Sequence, residues 1–230
     1  MKKLCFVLLG ISTILSSLYI GRFYHEQHLN KMKQKQWQIL LKDDEHEAFK
    51  RLKQTNDELF CIMEFAGNFI NLPIVKTSDN QKYLRLSFEG QASSQGTPFV
   101  DWRYQANDKV MFIYGHNVYA DDHAMFSPLA SLLKQASYEK HHCFSLLYED
   151  KKEEYGICMA LVVDIFADEL WQSTFADNKD FKQWLTKIKS YDQLKSVYEP
   201  IDDEDKLVIL QTCYESDDDK RIWIVAKKLF

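Results

Sequence analysis

Cys213 ends one apolar run, Leu-Val-Ile-Leu-Gln-Thr-Cys, and Arg221 opens another, Arg-Ile-Trp-Ile-Val-Ala. Between them residues 214–220 are polar and dense in Asp, a pattern that predicts two strands and their connection. Paired as neighbours, such strands bring a guanidinium beside a thiol at the end of a sheet. A fixed cation favours the thiolate and can hold an oxyanion, so the pair points to acyl transfer by a cysteine nucleophile. The same two residues also fit a buried thiol and a solvated Arg that serve packing alone.

A third group lies upstream, in Lys-Val-Met-Phe-Ile-Tyr-Gly-His-Asn, residues 109–117. This reads as a buried strand that ends where Gly115 lets the chain turn, an arrangement that aims the His116 imidazole into a cleft. Imidazole, thiol and guanidinium together are the parts list of thioester chemistry: a nucleophile, a proton carrier and an oxyanion partner.

Tyr-Gly-His-Asn, then Leu-Gln-Thr-Cys, then Lys-Arg-Ile-Trp-Ile-Val-Ala-Lys, in that order along the chain, resembles the sortases and within them class B. The resemblance implies a mainly β fold. It would be a closed sortase-type barrel of about eight strands, with N-terminal helices and a helix in the long loop before the Cys strand. It also implies a membrane-anchored transpeptidase. Cys213 would attack the carbonyl after the Thr of a C-terminal sorting signal. His116 would protonate the departing amine and later take a proton from the incoming one. Arg221 would hold substrate and oxyanion. The partners implied are surface proteins bearing such a signal and the amine of a lipid II-type cell-wall precursor, or a pilin Lys in a pilin-polymerising relative. No metal or nucleotide is required, because the thioester conserves the energy of the cleaved bond. By the same resemblance Asn80, Leu84, Leu170, Trp171, Gln211 and Thr212 line the substrate groove. Gln211 stands where class B strands commonly carry Ser, and Tyr214 and Glu215 follow the Cys, so the recognised motif is open. Glu215 or Asp217 is a candidate to orient His116, and a solvated loop is the other reading of that acidic run. A non-catalytic, membrane-tethered barrel that binds a partner is the reading from a different class.

The elements that must position these groups follow from patterning. The chain has 230 residues, 46% of them hydrophobic, enough for one domain with a full core and an appendage. A net charge of −5 with no basic stripe argues against nucleic-acid binding. Lys2 and Lys3 precede an apolar run over residues 4–20 with no small-residue cleavage site after it, which predicts a signal anchor over residues 1–25. A cleaved signal peptide is the alternative. With that anchor, the resemblance puts the catalytic domain outside the cell. Residues 26–64 carry Trp37, Ile39, Leu40, Leu41, Phe49, Leu52, Leu59 and Phe60 at helical spacing and predict one or two helices lying on the barrel of residues 65–230.

Within the barrel, residues 69–75 predict a strand whose Pro73 suggests an edge, and residues 125–134 a short helix. Residues 143–148 and 155–166 predict a hairpin across a charged turn. Asp177 caps a predicted helix running to Ile188, with Phe181, Trp184, Leu185 and Ile188 on one face. Cys61, Cys143 and Cys158 fall in apolar runs and read as buried thiols, with a Cys143–Cys158 bridge as the alternative. His123, His141 and His142 read as solvated surface, since no ligand spacing joins them.

Overall fold

The computed structural model describes residues 2–119, 121–198 and 200–229. Eight strands close into a barrel: β1 (Leu59–Phe65), β2 (Asn71–Lys76), β3 (Phe99–Val100), β4 (Val110–Tyr114), β5 (Cys143–Leu147), β6 (Lys152–Asp164), β7 (Leu207–Cys213) and β8 (Lys220–Lys228). Around the barrel they run β1-β2-β3-β4-β7-β8-β6-β5, and β5 returns to β1. Most neighbours are antiparallel, but β2 and β3 run parallel, as do β4 and β7, so the carboxyl ends of β4 and β7 emerge side by side.

Strict alternation divides β7 between two cores. Val208 and Leu210 point into the barrel with Ile222, Ile224 and Ala226 of β8. Leu207 and Ile209 point outward with Trp223 and Val225, under a helix that covers this face. That helix is α4 (Asn178–Lys189), entered as predicted through Asp177, whose carboxylate accepts from Asp180 N at 2.8 Å. Phe181, Trp184, Leu185 and Ile188 are its buried stripe, and Trp184 Nε1 donates to the Leu170 carbonyl at 2.8 Å. A short α3 (Gln135–Tyr138) lies between β4 and β5.

Two N-terminal helices precede the barrel, α1 (Lys2–Asp43) and α2 (Glu45–Thr55). Ala48, Phe49 and Leu52 of α2 pack on Leu59, Ile62 and Val75. The helical pattern read through residue 64 stops earlier, because Asn56 turns the chain. Its Nδ2 donates to the Phe88 carbonyl and Tyr83 Oη, and Leu59 and Phe60 then enter β1. Trp37, Leu40 and Leu41 lie outside the described side chains, as do Leu4, Cys5 and Val7 of the apolar N-terminal run. Among the described residues no helix is long and apolar enough to cross a membrane.

Smaller departures have local causes. The segment at Ser127–Leu133 is a 3-10 helix rather than an α-helix, with Pro128 at its start. The β5–β6 hairpin is tighter than its charged turn suggests, since Leu147 already pairs with Lys152. Pro73 sits on a stretch of β2 paired with β1 alone, because β3 reaches only Val75 and Lys76. His141 and His142 are not free in solvent: His141 stacks on Phe69 with ring centroids 4.1 Å apart, and His142 Nδ1 meets Tyr198 Oη at 2.9 Å. Cys61, Cys143, Cys158 and Cys213 are all free thiols, and burial pushes Cys158 up to about 11.

Candidate active site

Cys213 is the last residue of β7 and lies directly opposite Arg221 of β8. Directly opposed residues in an antiparallel pair share one face, so thiol and guanidinium emerge on the same side of the sheet. Alternation from Ile209 places this on the outward face, the side of Trp223 rather than the barrel interior. Both side chains are half-buried. Arg221 Nη1 donates to the carbonyls of Asp218 at 2.7 Å and Lys220 at 2.8 Å, which ties the guanidinium to the β7–β8 turn.

The histidine arrives on the neighbouring strand. β4 pairs in parallel with β7 through Tyr114 and Gln211, and Gly115 N then donates to the Gln211 carbonyl at 3.0 Å. His116 is therefore the first residue past the β4–β7 ladder, as Cys213 is the last of β7. A further bond crosses between the two segments: Asn117 Nδ2 donates to the Cys213 carbonyl at 3.1 Å. His116 Nε2 lies 3.0 Å from the Leu84 carbonyl, and Phe126 N donates to the His116 carbonyl at 3.1 Å. The ring thus meets the segment ending the Lys82–Leu84 3-10 turn, while the His116 main chain is held by the loop of residues 117–126.

Glycine makes this cradle possible. At Gly96, φ is +61°, and a Cβ would lie 2.5 Å from the Tyr83 carbonyl oxygen, 3.0 Å from that of Leu84 and 3.1 Å from His116 Cδ2. Gly115 has the same tightness against the buried Phe126 ring, at 2.6 Å.

The other predicted residues divide. Gln211 is half-buried on the Cys213 face, and Trp223, the partner of Gln211 across the ladder, packs edge-on against Trp171 with centroids 4.9 Å apart. A cleft of about 340 Å³ bordered by Trp171, Phe112, Asp101 and Arg103 opens there. Leu84 meets the site through its carbonyl. Asn80 instead closes a loop, accepting from Trp102 N at 3.0 Å. Leu170 is buried beneath α4, and Thr212 is fully buried and directed into the barrel, away from Cys213. Asp217 is taken up in the turn, accepting from Asp219 N at 3.0 Å and pairing with Lys220 at 3.1 Å.

Two groups near the site carry no sequence signal of their own. Asn117 fixes the His segment to the Cys strand, and its position directly after the strand-ending His is the one available hint. Tyr119 lies close enough to feel Cys213 and Asp218, and burial, then the Cys213 charge, push its hydroxyl up from the usual tyrosine range. A larger cavity of about 670 Å³ is lined by Met111, Leu207 and Val208 at the starts of β4 and β7, the barrel end opposite the thiol.

Comparisons with known proteins bear on the fold and the family. No protein-family model matches the chain. The chain is 27% identical to sortase B of Staphylococcus aureus over 216 residues, covering 91% of this chain and 86% of that protein. It is 26% identical to sortase B of Listeria monocytogenes, covering 99% and 96%. A solved Staphylococcus aureus sortase B–substrate complex superposes with a TM-score of 0.78 at 26% identity, covering 89% of this chain and 97% of that one.

Proposed function

We propose that this chain, a class B sortase and as such a cysteine transpeptidase, cleaves a C-terminal sorting signal after its Thr and transfers the protein to an amine of a cell-wall precursor. The observation that carries the reading is the end of the β4–β7–β8 ladder. There Cys213 and Arg221 are opposed across the last rung, and the His116 segment is hydrogen-bonded alongside through Gly115 and Asn117.

In this reading the Cys213 thiolate attacks the scissile carbonyl. The carbonyl oxygen becomes an oxyanion, and the planar, permanently charged guanidinium of Arg221 stabilises it. Collapse forms the thioester and breaks the C–N bond, with His116 supplying the proton the departing amine takes up. The acceptor amine then attacks the thioester, gives a proton to the imidazole and releases the thiolate. Protein and acceptor end joined by an amide, and the enzyme is unchanged. The outward face shared by Gln211, Trp171 and the cleft beside them supports an extended peptide lying along β4 and β7 towards the thiol. That the Staphylococcus aureus relative is solved as a substrate complex supports a substrate-binding role for this fold.

The N-terminal part of α1 serves in this reading as the membrane anchor, with the barrel on the outer side. Its side chains support this: among the described residues Phe6, Leu8, Leu9, Ile11, Ile14, Leu15 and Leu18 are all exposed.

The test is a panel of fluorogenic sorting-signal peptides, with products identified by mass and with Cys213→Ala as control. Cleavage between Thr and the following residue, lost in the control, is the expected result. Cleavage at no peptide, together with a Cys213 no more reactive to alkylation at neutral pH than a free thiol, would remove the transpeptidase mechanism from these residues.

A further inference from the structure

The helix α1 does more than lead into the barrel: it grips both segments that hold His116. Glu26 accepts from Ser93 Oγ at 2.5 Å, Ser94 N at 2.8 Å and Ser94 Oγ at 3.0 Å. Two turns further on, Lys33 pairs with Glu89 at 2.6 Å. On the adjoining row of the helix Gln27 is buried, and Lys31, one turn on, pairs with the buried Asp121 at 3.0 Å. Glu26 and Lys33 thus fasten residues 85–96, and Lys31 fastens residues 117–126.

The first of those stretches adjoins the His116 ring and the second holds the His116 main chain. The first is bonded on either side of Leu84, with Ser93 N on the Arg85 carbonyl at 2.9 Å and Thr97 N on the Tyr83 carbonyl at 3.0 Å, and the Leu84 carbonyl between them meets His116 Nε2. The second starts from His116 itself. It is closed by the Asn117–Met125 bridge and by Phe126 N on the His116 carbonyl, and its Asp121 also accepts from His123 N at 3.1 Å. Neither stretch belongs to a long barrel strand. Isolated polar contacts on an exposed helix would be worth little, but three bonds converging on one carboxylate and an ion pair to a buried acid fix a geometry.

We propose that α1 is a strap that sets the position of His116, with Glu26 and Lys31 as positioning residues for the transpeptidase step. The inference rests on His116 being the proton carrier. It makes the helix that leads from the chain's apolar N-terminal run part of the catalytic geometry rather than a stalk.

The experiment uses the full chain in detergent micelles, carrying 13C-labelled histidine. The variants are Glu26→Ala, Glu26→Gln, Ser94→Ala and Lys31→Met, with the melting temperature recorded for each. Glu26→Ala, Ser94→Ala and Lys31→Met are expected to shift the His116 ring titration and lower kcat by about tenfold, with KM within about twofold. Glu26→Gln, whose amide oxygen keeps the bonds from Ser93 Oγ and Ser94 N and whose Nε2 can donate to Ser94 Oγ, is expected to restore both. An unmoved His116 titration, or an unmoved kcat, in folded Glu26→Ala and Ser94→Ala overturns the strap. If His116→Gln retains wild-type kcat, the role given to His116 is what has failed, and the ring titration alone then decides whether α1 positions it.

Discussion

Cys213 and Arg221 form the terminal pair of the β7–β8 ladder, and the turn that joins their strands also anchors the guanidinium through two carbonyls on Nη1. The turn therefore tethers the guanidinium at the strand end that carries Cys213 before substrate arrives. Arg221→Lys keeps the charge but loses the planar fork, so kcat is expected to fall by about 10²–10³-fold. Because both residues are half-buried at a strand end, Arg221→Lys and Cys213→Ala should each leave stability within about 1 kcal/mol of wild type. Peptide cleavage kinetics beside a thermal melt check this; a melt that collapses with the rate would make Arg221 a structural residue instead.

Asn117→Ala removes the bond that ties the His116 segment to the Cys213 carbonyl. The carbonyl is left with one partner fewer at the point where thiol and imidazole must be aligned. The expected stability loss is about 1 kcal/mol, whereas the expected drop in kcat is about tenfold, larger than the stability change explains. Steady-state kinetics and a denaturant titration on the same preparation separate the two effects.

Two carboxylates set the acid limit of the fold. Burial alone would raise Asp101, but hydrogen bonds from Arg103 and Tyr114 prevail and hold it at about 2. Glu153 is likewise held at about 2, against burial, by Lys151, Lys228 and Tyr155. Both folded values lie below the unfolded ones. Their stabilisation is therefore complete above about pH 4.5 and is lost as pH falls from there towards 2. After discounting for solvent screening, each contributes on the order of 1–2 kcal/mol at neutral pH. Calorimetric melts between pH 6 and 2.5 should show a falling midpoint that Asp101→Asn and Glu153→Gln each flatten; unchanged slopes in both variants would refute the assignment.

What the sequence made legible was what periodicity and chain punctuation encode. The strands carrying Cys213 and Arg221, the strand leading to His116 and the capped helix over Trp184 each have an apolar period or a turn signal, and each forms where those signals place it. The cradle was not legible, because it is made of main-chain carbonyls. Leu84 meets His116 through a backbone oxygen that any residue type supplies, and Asp121 meets Lys31 only because the 117–126 loop folds back. Thr212 illustrates the limit of a motif: it stands beside the nucleophile in sequence, yet alternation turns it into the barrel.

Gly96 offers the sharpest test of the cradle, since it touches the imidazole without contributing a functional group. Alanine there would adopt a positive φ at a cost of about 1–2 kcal/mol. Its Cβ would also press on two backbone oxygens, which cannot swing away as a side chain would, and on His116 Cδ2. The least costly relief moves the Leu84 carbonyl or the His116 ring, because the barrel strands behind them are fixed by their ladders. Gly96→Ala is therefore expected to lose about 10²-fold in kcat while the folded barrel persists. Gly90→Ala, also at positive φ but with open space around its Cβ, carries the same backbone cost without the contact and should keep most of its activity. If the two variants lose activity equally, backbone strain in the segment accounts for the effect and the position of the ring does not.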